Sequence, residues 1–376
     1  MSSSSAPEVT HSGMLAVGQG HEIFWEESGT RDGVPTLYLH GGPGGRLTPG
    51  YRRNSPADRA RIIGMSQRGT GRSTPGVGAP GPVALEGQST AHLVEDLELL
   101  REHLGIEAWI VQGVSWGSTL ALAYAQAYPE RVLGVVLFAV TSTSRREVDW
   151  ITEGIGAVYP EAWDAFARIA EQHAGFDRAD SSETRLRIVE AYRRMLTSTD
   201  PDLVDLAARA WMAWEDAHIG IGGGGPAQAH AVPEGQEITE HERAFARLVT
   251  HYWAQDGFVA DWATRWGAAP GSGLLGGMGR LDGIPGVLIH GRRDVSGPAL
   301  TVWELHRAWP GSELVIVEEE GHGGPVMAEH WCRAVTRMVD AELARRQWPH
   351  SGRAGRCVSS LVRRARRSRG SLSATR

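Results

Sequence analysis

The pattern of apolar and polar positions divides the chain into short apolar runs and longer segments with helical spacing. Six runs of four to seven residues have the length of buried β-strands, and they are Thr36–Leu39, Arg61–Met65, Ala108–Gln112, Val132–Phe138, Gly286–His290 and Glu313–Val317. Between several of them, apolar residues recur every three or four positions, which predicts helices such as Thr90–His103 and Ser118–Tyr128. Because buried strands that alternate with helices pair in parallel, the pattern predicts an α/β fold with a mainly parallel sheet covered by helices on both faces.

This alternation is interrupted once in the middle of the chain and lost at both ends. Residues 14–27 predict a hairpin that turns near Gly18–Gly20, whereas residues 1–13 and 348–376 have the composition of disordered segments. Residues 145–275 have a helical pattern, with predicted helices at Pro160–His173, Glu183–Leu196, Asp202–Trp214 and Glu240–Trp253. We therefore predict a core of residues 14–144 and 276–347, with the helical block inserted as a cap over the carboxyl ends of the strands.

The composition of the 376 residues is that of a globular protein, with 41% hydrophobic residues, 22% charged residues and a net charge of −6. No apolar run approaches the roughly 18 residues that cross a bilayer, and the N-terminus lacks the basic start and apolar stretch of a signal peptide. Cys332 and Cys357 have neither disulfide-framework nor metal-ligand spacing, and Cys332 is predicted to be a buried helix residue. We expect a cytoplasmic protein with no membrane contact, no metal ion and no cofactor.

Two segments of biased composition raise the question of further ligands. Residues 351–376 contain eight arginines and no acidic residue, but the rest of the chain is strongly acidic and opposes nucleic-acid binding. The glycine-rich residues 219–236 follow no strand and lack the Lys-Ser/Thr of a phosphate-binding loop, so they predict a connecting loop. We expect no nucleic-acid partner, and the sequence leaves the oligomeric state open.

The segment Gly113-Val114-Ser115-Trp116-Gly117 matches the pattern G-x-S-x-G, in which a serine lies on a sharp turn between a strand and a helix. A predicted strand precedes the motif and a predicted helix follows it, as such a turn requires. The amides at the start of that helix would point toward the site. Ser115 is therefore a candidate nucleophile, provided that the chain also supplies a base and an acid that orients the base.

Two residues beyond the helical block occupy the positions where these partners are expected. Asp294 follows the predicted strand Gly286–His290, and His322 follows the strand Glu313–Val317, which gives the chain order Ser, Asp, His. Taken singly, Asp294 could cap the next helix and His322 could be an ordinary loop histidine. Taken with Ser115, their order and their places after strands predict a Ser-His-Asp triad. The glutamates at 318–320 are alternative acids, but they lie too near His322 along the chain to orient its ring easily.

A hydrolytic serine also requires amide groups that stabilise the negative charge that develops on the substrate oxygen. The amide of Trp116, directly after the candidate nucleophile, is one expected donor. The second is expected from the glycine-rich turn His40-Gly41-Gly42-Pro43-Gly44-Gly45, which follows an early strand and lets the backbone approach a ligand closely. We predict that Gly42 and Trp116 form this oxyanion hole.

Six motifs in this order resemble those of the proline iminopeptidases, which are α/β-hydrolases of the S33 serine peptidase family. They are HGGPGG (40–45), QRGTGRSTP (67–75), GVSWGSTLALAYAQAYPERV (113–132), WMAWED (211–216), GRRDVSGP (291–298) and AWPGSELVIVEEEGH (308–322). The resemblance covers about residues 14–340. It implies an α/β-hydrolase fold and an exopeptidase that uses Ser115, His322 and Asp294 to release an N-terminal proline.

The same resemblance implies which residues contact the substrate. Glu215, next to Trp214 in the predicted cap, matches a glutamate that binds the free amine of the substrate, and Gly41 belongs to the turn beside the nucleophile. The chain departs from many members at two positions, where Val249 replaces a second amine-binding glutamate and Thr141 replaces a phenylalanine of the proline pocket. Ser66 and Val114 are further departures, from an aspartate before the QRG motif and a glycine in the serine motif.

These residues favour a serine hydrolase that releases an N-terminal residue, with proline preferred, from small peptides with a free amine. Val249 and Thr141 favour an alternative, an esterase or amidase that acts on a small specialised metabolite. A binding protein without catalytic activity would not need a complete triad, and we therefore expect an enzyme.

Overall fold

The computed structural model describes residues 5–220 and 235–347. The predicted disordered tail at 348–376 lies outside the described residues, as do Cys357, the first four residues and most of the glycine-rich loop. Eight strands form one sheet, and they are β1 (Val9–Gly18), β2 (His21–Gly29), β3 (Val34–Leu39), β4 (Ala60–Met65), β5 (Trp109–Val114), β6 (Val132–Phe138), β7 (Gly286–Gly291) and β8 (Ser312–Val317).

The strands lie in the order β1-β2-β4-β3-β5-β6-β7-β8. The pairs β1–β2 and β2–β4 are antiparallel, and the other neighbours are parallel. Side chains of each strand alternate between the faces, so Val135 and Leu137 pack on one side of the sheet and Val136 and Phe138 on the other. The predicted α/β fold with a mainly parallel sheet is confirmed.

Nine α-helices occur in the described residues. They are α1 (Thr90–His103), α2 (Trp116–Ala127), α3 (Arg145–Thr152), α4 (Pro160–Ala174), α5 (Ile188–Leu196), α6 (Pro201–Ile219), α7 (Glu240–Trp253), α8 (Ala299–Arg307) and α9 (Pro325–Gln347). Helices α1, α2 and α8 pack on one face of the sheet, and α9 packs on the other. Helices α3 to α7 form an insertion between β6 and β7, and they contact one another more than they contact the sheet.

Four details of the sequence prediction are wrong. Strand β1 begins at Val9, so the hairpin is longer than predicted and includes part of the segment expected to be disordered. This strand lies at the edge of the sheet and is mostly exposed, so its residues lack an alternating apolar pattern. Helix α6 runs past Trp214 to Ile219. Cys332 lies on α9 but is only half buried, because it lies beside the buried face of the helix, which carries Trp331 and Val335.

The fourth difference concerns α5, which begins at Ile188 rather than at Glu183. Arg187 precedes it with extended backbone angles, φ −71° and ψ 145°. The guanidinium of Arg187 is buried, and it donates to Asp149 Oδ1 at 2.9 Å and to Asp256 Oδ1 at 3.0 Å. These ion pairs hold the backbone at Arg187 extended, where helical propensity alone would have continued a helix from Glu183.

The fold brings four loops to one edge of the sheet. The carboxyl ends of parallel strands meet at the same edge, and the segments after β3, β5, β7 and β8 carry the candidate residues of the site. The insertion leaves the sheet at the same edge, after β6. The sheet therefore fixes the relative positions of residues that are far apart in sequence.

Candidate active site

Ser115 lies on a tight turn between β5 and α2. Its backbone angles are φ 53° and ψ −123°, a combination that side-chain-bearing residues rarely adopt and that costs on the order of 1–3 kcal/mol. The turn is held by hydrogen bonds, among them Ser115 N–H to Phe138 O at 2.9 Å. A Cβ at Gly117 would lie 2.2 Å from Leu39 O, so only glycine allows α2 to approach β3 this closely. The glycine two residues after Ser115 in the motif is therefore required for steric reasons.

The side chains of Ser115, His322 and Asp294 form one hydrogen-bonded chain. His322 Nε2 is 3.1 Å from Ser115 Oγ, and His322 Nδ1 is 2.8 Å from Asp294 Oδ2. A carboxylate can only accept, so Nδ1 donates its proton to Asp294 and leaves Nε2 free to accept from the serine hydroxyl. Asp294 Oδ1 accepts from Gly297 N–H at 2.9 Å, which fixes the carboxylate. The three residues therefore have the geometry of a nucleophile, a base and an orienting acid.

Two of the alternative acids after β8, Glu318 and Glu320, have other partners. Glu320 is buried and accepts from the backbone N–H groups of Val326 and Met327 at the start of α9, both at 2.8 Å. Glu318 forms an ion pair with Arg292 at 3.0 Å. Neither carboxylate contacts the ring of His322.

Asp294 and His322 influence each other's pKa. Burial lowers the pKa of His322, but the attraction of Asp294, its hydrogen bond to the ring and the attraction of Glu215 outweigh burial and raise that pKa above 6.5. Burial raises the pKa of Asp294, but the charge and hydrogen bond of His322, together with the hydrogen bond from Gly297 N–H, hold it below its usual value. Asp294 is thus ionised and stabilises the protonated form of His322.

His290, which the sequence analysis did not single out, supports this arrangement from behind. It is fully buried at the end of β7, where its Nδ1 accepts from Val140 N–H at 3.0 Å and its Nε2 donates to Gly297 O at 2.6 Å. Burial lowers the pKa of His290, so the ring is neutral and both contacts are satisfied. The position of His290 at the end of a strand, near Asp294 in sequence, was a signal for this supporting role. Histidines at such positions are nevertheless often structural.

The expected oxyanion donors lie at the same cavity as the serine. Gly42 and Trp116 both line it, together with Ser115 and His322. Gly42 has φ +124°, and a Cβ there would lie 2.5 Å from Gly44 N, so the turn requires glycine at this position. A Cβ placed on Gly41 would lie 3.3 Å from Ser115 Cβ, so the glycine-rich turn packs directly against the turn at Ser115.

The wall of the cavity is partly polar and partly apolar. Its lining residues are Gly42, Ser115, Trp116, Ala139, Thr141, Thr143, Glu147, Val148, Ile151, Trp253, Ser296, Gly297 and His322. Helices α3 and α7 of the insertion supply much of this wall, since Glu147 to Ile151 and Trp253 belong to them. The insertion therefore encloses the serine on the side away from the sheet.

Thr141 lines the cavity as expected, and its position depends on Glu147. The carboxylate of Glu147 is buried and accepts hydrogen bonds from Thr141 Oγ1 at 2.9 Å, from the amides of Ser142 and Ser144 and from both of their hydroxyls. Glu147 is thus a capping residue of α3 and also part of the cavity wall. The sequence analysis missed it, although Ser-x-x-Glu at 144–147 is the pattern of a capping box.

Val249 is fully buried on α7 and is not among the residues that line the cavity. Trp253, one turn further along the same helix, reaches the cavity instead. No carboxylate of α7 therefore faces the serine, and the apolar ring of Trp253 forms that part of the wall.

Glu215 is buried on α6, close enough to His322 for their charges to interact. Trp211 Nε1 donates to its Oε1 at 3.1 Å, and His218 Nε2 lies 3.9 Å from its Oε2. Burial raises the pKa of Glu215 to about 7, although the nearby His322 and the Trp211 hydrogen bond oppose the shift. A cation beside this buried carboxylate would be stabilised by its negative charge.

Trp214 lies behind the cavity wall rather than in it. Its ring is buried, stacks on Phe166 with a centroid separation of 5.3 Å, and donates from Nε1 to Ile151 O at 3.0 Å. Glu215 and Gly41 are likewise absent from the cavity lining. Ser296, which does line the cavity, lies 2.9 Å from His218 Nδ1 and so connects the wall to Glu215 through His218. Ser296 and His218 were not expected from the sequence.

In residues 5–220 and 235–347, no group of three His, Cys, Asp or Glu side chains has the arrangement of a metal site. In the same residues, no helix is both long enough and apolar enough to cross a membrane.

Comparisons with known proteins agree with the fold and with the motifs. A profile of the α/β hydrolase fold family matches residues 35–325. A protein of Streptomyces coelicolor named "Probable proline iminopeptidase" is 42% identical over 324 residues, which are 86% of this chain and 93% of that protein. The proline iminopeptidase of Neisseria gonorrhoeae is 39% identical over 331 residues, 86% of this chain and 95% of that protein.

A solved structure supports the fold. The crystal structure of a Mycobacterium smegmatis proline iminopeptidase aligns with a TM-score of 0.50 and 17% identity, over 89% of this chain and 99% of that one. The chain belongs to the α/β-hydrolase fold family and, within that family, to the proline iminopeptidases. The resemblance that the six motifs indicated is confirmed, and the chain is a hydrolase.

Proposed function

We propose that the protein is a serine aminopeptidase that releases an N-terminal residue, with proline preferred, from small peptides. The observation that carries this proposal is the hydrogen-bonded chain from Ser115 through His322 to Asp294, with the buried carboxylate of Glu215 beside it. The names of the relatives, proline iminopeptidases that are about 40% identical to this chain, support the same substrate class.

Binding begins with the free amine of the substrate. The ionised carboxylate of Glu215 attracts the ammonium group, and this pairing compensates the cost of burying both charges. The first residue then occupies the cavity between Thr141, Ile151 and Trp253. Because Glu215 binds the amine at a fixed distance from Ser115, the first peptide bond is the one presented to the nucleophile.

Cleavage then proceeds through an acyl-enzyme. Ser115 Oγ attacks the carbonyl carbon of the N-terminal residue while His322 Nε2 takes the hydroxyl proton. The amides of Gly42 and Trp116 donate to the oxygen that becomes negatively charged. His322 gives the proton to the leaving nitrogen, the C–N bond breaks, and the rest of the peptide departs with a new N-terminus. A water molecule, deprotonated by His322, then hydrolyses the ester on Ser115.

An esterase or amidase with a different substrate remains a second candidate. The observation that favours it is the cavity wall, where Thr141 and Ser296 are polar and Val249 contributes no carboxylate. The same triad would attack an ester by the same steps. The two candidate functions differ only in the substrate that the cavity and Glu215 select.

A substrate panel separates the candidates. We expect prolyl-p-nitroanilide to be cleaved faster than alanyl-p-nitroanilide, and N-acetyl-prolyl-p-nitroanilide to be cleaved slowly or not at all. Ser115→Ala should lower kcat at least about 10⁴-fold on every substrate that the native protein cleaves. Cleavage of short p-nitrophenyl esters without cleavage of prolyl anilides would support the esterase. An unchanged rate in Ser115→Ala would contradict both candidates.

A further inference from the structure

Gln67 connects the two loops that supply the oxyanion donors. It lies just after β4 and is 2% exposed. Its side-chain Oε1 accepts from the indole Nε1 of Trp116 at 2.9 Å, and its Nε2 donates to the backbone carbonyl of His40 at 2.9 Å. One amide side chain thus spans the distance between the turn after β3 and the turn after β5.

The ring of His40 adds a second connection between Gln67 and the glycine-rich turn. Gln67 N–H donates to His40 Nε2 at 3.1 Å, and His40 Nδ1 donates to Gly41 O at 2.9 Å. An amide N–H can only donate and a carbonyl can only accept, so these two contacts require the neutral ring with its proton on Nδ1. Complete burial lowers the pKa of His40 to about 4, which keeps the ring in this state near neutral pH. The contact fixes Gly41, the residue before Gly42.

We propose that Gln67 is a positioning residue that holds the turn at 40–45 and Trp116 at a fixed separation, so that the amides of Gly42 and Trp116 converge on one oxygen. This inference rests on the proposed hydrolytic function of the same site. Gln67 does not line the cavity and therefore acts only through these two neighbours. Each oxyanion donor contributes only when it points at the developing charge, so a shift of one turn relative to the other would slow catalysis.

The chain offers a matched control for the structural effect of losing such a glutamine. Gln112 on β5 is also 2% exposed, accepts from the indole Nε1 of Trp331 at 2.8 Å and donates to Ser55 Oγ at 3.0 Å. It makes the same kind of buried glutamine–tryptophan contact, but with residues that do not line the cavity. Gln67→Leu and Gln112→Leu each leave a buried indole N–H without its acceptor.

The experiment compares steady-state kinetics of the native protein, Gln67→Leu and Gln112→Leu, on prolyl-p-nitroanilide and on p-nitrophenyl acetate. We expect Gln67→Leu to lower kcat about 10- to 100-fold on both substrates, with KM changed less than about threefold. Gln112→Leu should lower Tm by a similar amount but keep kcat within about twofold when assayed well below Tm. Equal losses of kcat in the two variants at equal Tm, or a native kcat in folded Gln67→Leu, would overturn the proposal.

A fluorophosphonate probe distinguishes failure of this inference from failure of the proposed substrate. The probe phosphonylates a reactive serine with loss of fluoride, and its phosphoryl oxygen occupies the oxyanion position whatever the natural substrate is. We expect Gln67→Leu to label at least about tenfold more slowly than Gln112→Leu. If prolyl anilides are not cleaved but this difference holds, the substrate assignment is wrong and the role of Gln67 stands. Absence of labelling of the native protein at Ser115 would overturn both.

Discussion

The buried carboxylate of Glu215 lies close enough to His322 for their charges to interact. It raises the pKa of His322 through its charge. We predict that Glu215→Gln lowers the apparent pKa of the acidic limb in kcat/KM for p-nitrophenyl acetate, because the base then loses its protonated form at lower pH. The pH profile between pH 5 and pH 9 measures this shift. An unmoved acidic limb would mean that the two groups do not interact.

The same substitution should separate substrates by their amine. Glu215→Gln is expected to raise KM for prolyl-p-nitroanilide about tenfold or more, with little change in KM for p-nitrophenyl acetate, because only the anilide carries an ammonium group. Steady-state kinetics on both substrates test this prediction. A similar rise in KM for the two would remove the proposed amine contact.

Glu215 also makes the stability of the protein depend on pH. Its pKa rises from 4.5 in the unfolded chain to about 7 in the folded one, so folding becomes less favourable as pH increases through this interval. By this linkage the ionised group costs at most about 3 kcal/mol above pH 7. Thermal unfolding of Glu215→Gln should therefore give a higher Tm than the native protein at pH 8, and the difference should shrink at pH 5. A lower Tm at pH 8 would contradict the assignment.

At the scale of elements, the start of α3 forms part of the cavity wall. Glu147 holds residues 141–144 through five hydrogen bonds. We predict that Glu147→Ala lowers stability by about 2 kcal/mol and raises KM for prolyl anilides several-fold, because Thr141 loses its support. Glu242→Ala provides the control, since Glu242 makes a capping box with Thr239 at the start of α7, on the surface. Denaturant unfolding and steady-state kinetics should show a change in KM in the first variant alone.

The sequence predicted the strands, most helices and the three residues of the hydrogen-bonded chain, and the reasons are physical. Buried strands have a composition that differs from their surroundings, and catalytic loops follow such strands in a fixed order. Gln67 was not predicted, because its partners His40 and Trp116 lie 27 and 49 positions away. Glu147 was missed for a similar reason, since its capping role is local but its exposure to the cavity depends on how the insertion packs.

The predictions of disorder at residues 9–13 and of a helix that begins at Glu183 were wrong for a different reason. An edge strand is held by backbone hydrogen bonds to one neighbour, and its exposed side chains carry no apolar pattern. The extended backbone at Arg187 is held by ion pairs to Asp149 and Asp256, which are 38 and 69 positions away. Local propensity cannot anticipate either of these contacts.

At the scale of the whole molecule, α9 leads the chain away from the candidate site. It begins at Pro325, three residues after His322, and its 23 residues extend about 35 Å. Arg345 near its end lies in a groove with Gly286 and Ser312, at the amino ends of β7 and β8. We predict that deletion of residues 348–376 leaves kcat/KM and Tm unchanged, as activity assays and thermal unfolding of the truncated chain can test. A loss of either would assign the tail a role in the folded enzyme.

The strained backbone at Ser115 lowers the stability of the folded chain. Glycine tolerates φ 53° and ψ −123° far better than serine does. Ser115→Gly should therefore raise the free energy of unfolding by roughly 1 kcal/mol while abolishing activity. Ser115→Ala is the control, because alanine keeps the Cβ and should gain little from the backbone. Equal stability of the two variants would mean that the turn is not strained.

This turn affects how the protein would respond to laboratory evolution. Variants selected for heat resistance alone would gain from the replacement of Ser115 by glycine, a single substitution that removes the proposed nucleophile. Each round of such a selection would therefore need an activity screen, because the substitution that stabilises this position most directly also gives an inactive protein.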